Sequence, residues 1–442
     1  MAKTFQEWDV DQAWLLPPSV RELVPEGHVA HFVRDTVREV LDLSAILDAY
    51  VEERGYPPYH PAMMTALLLY AYTQGVYSSR KVERACAERL DFMAVAAMAR
   101  PDHNTINAFR KRHLKALGDL FVQVLKLCQR TGMVQLGHVA LDGTKVKANA
   151  SKHKAMSYGR MREVEKALAS EVASWFSRAD AADAEDERES TIRGRSQELP
   201  EWVKSKQQRL EKIRQAKAAL EAEAAEQDPE PPSGGGGVKL ERSRTQRRPE
   251  APGVPHPRRQ RNFTDPESRI LKTSDGYVQG YNCQAAVDSK SQVIVARSLQ
   301  AAQNDAPALL PLVRQVKQNT GRQMKELSAD FGYLSLENLH GLERHRIRGY
   351  IATGRQKHGR SNATGRFRGT QRNVIREMKL RLSRAGHRSR YRLRKQTAEP
   401  VFGQMKEARG FRRFSLRGEA QVMAEWSLIC TAHNLLKLAG RS

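Results

Sequence analysis

Apolar residues recur at helical spacing through the first third of the chain. From His28 to Ala49 they fall on one helix face, and a second helix starts at Pro61, because proline suits a first helical turn. The same spacing predicts a third helix over Ser79–Ala99. A fourth helix follows, with Asp102 or Asn104 as its N-cap, since both side chains can accept hydrogen bonds from the first-turn amides.

A run of cations closes this fourth helix. Arg110, Lys111 and Arg112 follow one another there. Such a helix can bind in the major groove of DNA as the second helix of a helix-turn-helix. A plain helical bundle with a basic exposed end fits the same pattern, so both interpretations stay open. We expect residues 1–133 to form a helical domain with these three residues as candidate DNA contacts.

After this helical region the apolar pattern shortens to strand-like runs. One such run ends in Asp142 and Gly143. The predicted elements are the strands His138–Leu141, Tyr281–Asp288, Gln292–Leu299, Glu326–Asp330 and Arg348–Ala352, and the helices Asp305–Thr320, Ser335–His345 and Glu419–Leu438. Three strands followed by alternating helices and strands predict an α+β class with a mixed sheet. His433 on the last helix is more typical of a structural residue than of a metal ligand. Asp288, at the end of a predicted strand, and Asp275, before Gly276, are set aside, because an acid at a turn usually serves only the turn.

A long charged segment interrupts the predicted sheet. Met161–Arg178 and Trp202–Gln227 are highly charged and helical in pattern, which is typical of an antiparallel pair. Asp228–Arg261 holds two adjacent prolines, four consecutive glycines and many arginines, so we expect it to be disordered or to follow DNA. The expected division is a catalytic domain of residues 134–156 and 263–442, with an insertion of residues 157–262.

Charge narrows the class of partner. The chain has 74 Lys and Arg against 50 Asp and Glu, a net charge of +24. Between Ala352 and Arg417 there are 20 basic residues and three acids. Such a field attracts polyanions, of which nucleic acid is the commonest. Alternatively, this segment is a solvent-exposed basic tail. Apolar residues interleave with its cations, which argues against that alternative.

Other bulk features point to the cytoplasm and away from a membrane. No apolar run reaches the roughly 18 residues of a membrane span, and the N-terminus lacks the apolar core of a secretory signal. Four widely spaced cysteines with no CxxC pair argue against a zinc knuckle and a disulfide framework. We therefore expect a cytoplasmic, nucleoid-associated protein.

Three acids are candidates for metal chemistry. Asp142 and Asp330 each end a predicted strand and have a glycine close behind, so their carboxylates can approach across the sheet. Glu399 is isolated among cations, and Pro400 suggests that a helix begins there. Carboxylates suit magnesium, and two such ions can stabilise both oxygens of an in-line displacement at phosphorus. Alternatively, the Asp-Gly pair only favours a turn. Glu399, for its part, could form a salt bridge with Arg394 or Lys395 instead of holding a metal.

Three ordered blocks of this sequence resemble the DDE-class transposases of bacterial insertion sequences. They are Leu141–Ser151, Ala329–Tyr333 and Tyr391–Lys406, and Pro61–Val76, Asp102–His113 and Glu425–Leu435 resemble other parts of the same group. The resemblance covers most of the chain outside the insertion. It implies an RNase H-like catalytic domain in which Asp142, Asp330 and Glu399 are the catalytic acids and metal ligands.

The third block also resembles the Tyr-Arg-Glu-Lys signature of these families. Tyr391, Arg394, Glu399 and Lys406 are the matching positions. The gap from Arg394 to Glu399 is one residue longer than the commonest form, and Lys395 would restore it, so either residue can hold the arginine's place. The resemblance implies that Tyr391 and this cation contact phosphate near the cut, while Lys406 orients the terminal nucleotides.

The activity implied by the resemblance is metal-dependent phosphoryl transfer. Two Mg²⁺ ions, with Mn²⁺ as a substitute, would support cutting at the element end and joining of the freed 3′-hydroxyl to target DNA. Two ends must meet, which implies a homodimer or a larger assembly on DNA. Alternatives are an inactive or recruited DNA-binding relic and an RNase H-like nuclease without strand transfer. Use of Tyr391 as a recombinase nucleophile is disfavoured, since no matching array of arginines and histidines is identifiable.

Overall fold

The computed structural model describes most of the chain and divides it into two compact units. The described residues are 19, 21–22, 24–50, 58–189, 201–227, 254–273, 276–300, 304–354 and 370–440. One unit comprises Met1–Val146 with Asn282–Ser442, and the other comprises Lys147–Tyr281. None of the helices formed by the described residues is both long and apolar enough to cross a membrane.

Helices make up the N-terminal part of the first unit. They are α1 (Val29–Glu39), α2 (Ser44–Leu47), α3 (Pro61–Thr73), α4 (Ser79–Glu88), α5 (Leu90–Val95), α6 (His103–Arg112) and α7 (Leu114–Arg130). The start of α3 at Pro61 confirms the prediction from sequence. Of the two caps considered for α6, Asp102 is the one used, because its Oδ1 accepts the amides of Asn104 at 2.8 Å and Thr105 at 3.1 Å.

Two predicted helices are each broken in two. The expected helix over His28–Ala49 ends early, because the Asp42 carboxylate accepts the amide of Ser44 at 2.9 Å and redirects the chain into α2. The expected helix over Ser79–Ala99 breaks at Arg89, whose backbone is extended (φ −119°, ψ 123°). Helical periodicity continues across both breaks, so the apolar pattern alone does not reveal them.

The first unit contains a mixed sheet. Its strands are β1 (His138–Lys147), β5 (Gly276–Asp288), β6 (Ile294–Gln300), β7 (Glu326–Ala329) and β8 (Arg348–Ile351), of which β5 enters from the other unit. They lie in the order β6-β5-β1-β7-β8; β1, β7 and β8 pair in parallel, and β5 pairs with β6 antiparallel. The α+β class and the predicted strands are confirmed. Several bounds differ from the prediction. The strand β1 continues through Asp142 and Gly143 to Lys147, and β5 begins at Gly276 rather than at Tyr281 because its first residues pair with β4 (Arg269–Thr273). The other strands differ from their predicted bounds by one or two residues.

Further helices accompany this sheet. They are α10 (Leu309–Thr320), α11 (Leu336–Arg344), α12 (Thr370–Ser383), α13 (Ala385–Gly403) and α14 (Glu419–Ala439), and a π-helical turn, Gln404–Ala408, follows α13. The predicted helix from Asp305 begins instead with a 3₁₀ turn over Ala306–Ala308 and becomes α-helical at Leu309.

The α14 helix packs against helices and sheet at once. It contacts α7 and α3, and it also contacts β6. Trp426 is fully buried and its Nε1 donates to the carbonyl of Gln284 at 3.3 Å. The Asn434 side chain bonds both the amide and the carbonyl of Ile294, each at 2.9 Å. A helix buried on nearly all sides is typical of a core element rather than of a surface helix.

The second unit consists of a helical pair and short strands. Its elements are β2 (Ala155–Ser157), α8 (Tyr158–Glu189), α9 (Glu201–Gln227), β3 (Gln260–Asn262) and β4 (Arg269–Thr273), with the first half of β5 paired to β4. Lys206 pairs with Glu171 and Lys217 with Glu165, so α8 and α9 run antiparallel, as predicted.

Part of the segment expected to be disordered belongs to this unit. Gln260 and Arg261 pair with β2, and Glu223 accepts hydrogen bonds from Arg259, Arg261 and Arg269. The expectation for Asp228–Arg261 is therefore wrong at its C-terminal end, because β-pairing and ion pairs hold the chain there. Residues 228–253 lie outside the described part.

We expect Trp426→Ala to lower the free energy of unfolding by about 3–5 kcal/mol, because it removes a fully buried ring and leaves a cavity. Urea denaturation followed by circular dichroism measures the loss. Leu380→Ala, at a site 54% exposed on α12, is the control and should change it by less than about 0.5 kcal/mol. Equal losses in the two variants would contradict the central position of α14.

Candidate active site

Two of the candidate acids lie on adjacent parallel strands. His138 pairs with Glu326 and Ala140 with Ser328, and the same register continued along the strands brings Asp142 level with Asp330. Asp142 lies within β1, whereas Asp330 follows β7 and accepts the amide of Gly332 at 2.8 Å. The predicted approach of these two carboxylates across the sheet is therefore supported by strand register.

Glu399 reaches the site from α13, within which Pro400 also lies. The expectation that a helix begins at Pro400 is wrong. A proline inside a helix leaves the carbonyl four residues earlier without its amide donor. Here that carbonyl belongs to Gln396, and the Gln292 side chain donates to it at 2.9 Å. This compensation explains how the helix continues through Pro400.

Arg394 connects Asp142 with Glu399. Its Nη1 donates to Asp142 Oδ2 at 2.9 Å, and its Nη2 donates to Glu399 Oε1 at 3.0 Å. The Arg394 side chain is only 13% exposed, whereas Lys395 is exposed to solvent. Of the two cations left open by sequence, Arg394 therefore contacts the acids. The salt bridge considered as the alternative role of Glu399 is also present.

Burial sets the electrostatics of the site. It raises the pKa of Asp142 to about 6, and the charges of Asp330 and Glu399 add to this rise, whereas Arg394 opposes it. Burial lowers the pKa of Arg394, but the charges of Asp142, Tyr391, Glu399 and Asp330 together outweigh burial and raise the pKa overall. The site thus concentrates negative charge in a region of low solvation, where a nearby cation has a large effect.

Of the two remaining signature residues, Tyr391 lies beside the acids and Lys406 lies beside β1. Tyr391 is partly buried, and burial raises its pKa; Arg394 lies close enough to oppose that rise, and Asp330 and Asp142 add to it. Lys406 lies in the π-helical turn, and its Nζ donates to the carbonyl of Lys145 at 2.8 Å. Burial lowers the pKa of Lys406. The helix α13 and the turn after it therefore bring all four signature positions to the edge of β1.

A further acid in this region was not selected from the sequence. Asp305 Oδ1 accepts the side-chain amides of Asn282 at 2.6 Å and Gln284 at 2.7 Å, and Gln284 Oε1 accepts the hydroxyl of Tyr333. All four lie outside the predicted set. The sequence signal was the polar pair Asn282 and Gln284 at alternate positions of a predicted strand.

The chemistry of the acids suits a divalent cation, but their arrangement does not yet form a ligand set. Carboxylate oxygens are the ligands that magnesium prefers. Among the described residues, no three His, Cys, Asp or Glu side chains are grouped so that they could hold a metal ion. The guanidinium of Arg394 instead supplies positive charge to Asp142 and Glu399.

The three basic residues predicted on α6 differ in their surroundings. Arg110 is buried, and its guanidinium donates to the Tyr72 hydroxyl at 3.3 Å and the Tyr77 carbonyl at 3.2 Å. This burial does not fit its predicted role as a DNA contact. Lys111 and Arg112 are exposed, so their role in DNA binding stays a prediction.

The residues set aside on sequence grounds have structural partners. Asp288 accepts the amides of Leu136 at 2.7 Å and Lys290 at 2.9 Å, so it serves the turn. His433 is buried between the Gln292 carbonyl and Arg409, and burial lowers its pKa to about 3. Asp275, the other discounted acid, lies outside the described residues.

Comparisons with known families match two parts of the chain. Residues 18–112 match a family model described as a transposase domain (DUF772), and residues 251–435 match one described as a transposase DDE domain. The chain belongs to the DDE transposases of insertion sequences. No curated protein and no solved structure matches it.

The family matches cover this transposase unevenly. Asp330 and Glu399 lie inside the match to the DDE domain, whereas Asp142 lies between the two matched regions. The contact of Arg394 with both Asp142 and Glu399 links the first acid to one matched acid, and the register of β1 with β7 brings it level with the other.

The raised pKa of Asp142 leads to a prediction about stability. Between its ordinary value of 3.8 and about 6, the folded transposase binds more protons than the unfolded chain, so the contribution of Asp142 to stability falls as the pH rises through this window. We expect Asp142→Asn, which cannot ionise, to gain unfolding free energy relative to wild type between about pH 4 and pH 7. Chelator-treated proteins in urea titrations provide the measurement. A pH-independent difference would refute the shift.

Proposed function

We propose that this transposase cuts DNA at the ends of its insertion sequence and joins the freed 3′-hydroxyl to target DNA. The observation that carries the proposal is the contact of the Arg394 guanidinium with both Asp142 and Glu399. Strand register places Asp330 level with Asp142. The matches to transposase families supply the reaction class. In this proposal, the sheet with α13 is an RNase H-like catalytic core.

Asp142, Asp330 and Glu399 would hold divalent magnesium, or manganese in its place. The metal would supply charge neutralisation at the oxygens that attack and leave phosphorus. Because no covalent bond to the protein is required, the chain's own contribution is to position DNA and balance charge.

The surrounding cations would serve that positioning. Arg394, which now pairs with two carboxylates, is able to form bidentate bonds to a phosphate as well. Tyr391 lies next to it and would contact the same stretch of backbone. Lys406 is tied to the carbonyl of Lys145, so its ammonium has a fixed place from which to meet the terminal nucleotides.

Selection of the element ends would fall to the N-terminal helices, because phosphate contacts fix register and base contacts read sequence. The exposed cations Lys111, Arg112 and Lys395 would contact the phosphates of the DNA backbone. Two ends must be held together during transposition, so we propose that the active species on DNA is a homodimer or a larger assembly.

We expect Asp142→Asn, Asp330→Asn and Glu399→Gln each to abolish cutting while DNA binding persists, because each removes a carboxylate that would hold metal. The assay uses DNA with the native flanks of the gene, with magnesium or with chelator, and scores cuts and joined products. Leu380→Ala is the control, since Leu380 is 54% exposed on α12 and is not among the candidate site residues.

The products of the wild-type protein separate the alternatives. Cuts without joined products would favour an RNase H-like nuclease, and binding without cuts would favour a DNA-binding relic. Full cutting by any of the three acid variants would contradict the assignment of that acid.

The neighbours Arg110 and Lys111 provide a matched test of DNA contact. We expect Lys111→Ala to reduce the salt dependence of DNA binding by about one counterion with no loss of stability. Arg110→Ala should instead lower the free energy of unfolding by about 1–3 kcal/mol, because it leaves buried polar partners unsatisfied. Salt titrations of DNA affinity and urea titrations measure the two effects. The reverse assignment of effects would contradict this reading of α6.

A further inference from the structure

Two short turns meet beside the carboxylates of the site. Asp305 precedes the 3₁₀ turn Ala306–Ala308, and Asp330 precedes the 3₁₀ turn Phe331–Tyr333. The Asn338 side chain donates to a carbonyl in each turn, to Ala306 at 2.8 Å and to Tyr333 at 2.7 Å. The position of the turn that carries Asp330 is therefore coupled to the turn that follows Asp305.

A second connection runs through the sheet. The Asp305 carboxylate accepts from Gln284 Nε2, which leaves Gln284 Oε1 to accept from the Tyr333 hydroxyl. Gln284 and Tyr333 are both fully buried, so neither can exchange its partner for water at low cost. Burial raises the pKa of Tyr333 well above its ordinary value, which keeps the hydroxyl a donor. Asp305 thus fixes which end of the Gln284 amide faces Tyr333.

A side chain larger than glycine at Gly332 would displace the Asp305 carboxylate. A Cβ at Gly332 would lie 2.5 Å from Asp305 Oδ2 and 3.0 Å from Asp330 Oδ1. A Cβ at Gly143 would lie 2.6 Å from Gln284 Nε2. The two glycines next to the candidate catalytic aspartates therefore admit the Asp305 and Gln284 side chains.

We propose that Asp305 and Gln284 are positioning residues that hold the turn bearing Asp330 in place through the Tyr333 hydroxyl. The inference rests on the proposed function, since it concerns the carboxylate that would hold metal. Neither residue needs to touch DNA or metal. Partners that orient a metal ligand in this way typically change metal affinity or activity by about 10–100-fold when they are lost.

Tyr333→Phe and Asp305→Asn test this role. The first removes only the hydroxyl that anchors the turn, and the second removes the charge that orients Gln284. For each variant bound to element-end DNA, free Mn²⁺ is titrated by its electron paramagnetic resonance signal, and the cutting rate is followed against Mn²⁺ concentration. We expect Mn²⁺ affinity to fall about tenfold or more and cutting to saturate at correspondingly higher Mn²⁺, with unchanged affinity for DNA.

Asp288→Asn is the matched control, because Asp288 is also buried and also binds backbone amides of a turn, but away from these acids. It should lower the melting temperature and leave the Mn²⁺ titration at its wild-type midpoint. Wild-type Mn²⁺ titrations for both Tyr333→Phe and Asp305→Asn would overturn the inference, as would a shift in Asp288→Asn of the same size. A wild-type protein that neither binds Mn²⁺ on DNA nor cuts would instead overturn the proposed function.

Discussion

Burial of α14 is the constraint on which the first unit depends. Its apolar residues face α3 and α7, while Trp426 and Asn434 bond to β5 and β6. A sheet face and a helical layer each need an apolar partner, and here one helix serves both. The polar groups on α14 are satisfied at specific backbone atoms of the sheet, so the helix is fixed in register as well as buried. The sheet that carries the acids is therefore anchored to α14 through β5 and β6.

Charge balance is the second constraint, and it operates within the site. Negative groups gathered where solvent is scarce are costly unless a cation lies among them. Arg394 provides that cation in the structure. Its bond to Asp142 joins α13 to β1, whereas its bond to Glu399 lies within α13. The same guanidinium supports the fold and, in the proposed function, would also contact a DNA phosphate. Binding of DNA and rearrangement of the acids would then be linked through one side chain.

Local pattern was enough to predict the type and order of most elements. Alternation and helical spacing identified the strands and helices of the sheet region, and Asp102 was correctly considered as a cap. Local pattern gave wrong or missing predictions where a residue far away in the sequence determines the structure. Helix α13 passes through Pro400 because Gln292, far away in sequence, supplies a donor. Asp305 was missed for the same reason: its partner Gln284 is brought to it only by the fold. The choice between Arg394 and Lys395 depended on which of them faces the acids from α13. A signature whose spacing is altered by one residue cannot predict that face.

The helical pair α8–α9 belongs to a unit whose ends lie on neighbouring strands. The chain leaves β1 at Lys147 and returns through β5, the strand next to it in the sheet, and the Ala148 amide donates to the Gln279 carbonyl at 2.9 Å. An excursion that starts and ends on adjacent strands costs little extra closure entropy when it lengthens. The pairing of β1 and β5 therefore constrains the length of the intervening segment only weakly. A change in the length of the helical pair would therefore leave the register of β1 with β7, and with it the level position of Asp142 and Asp330, unchanged.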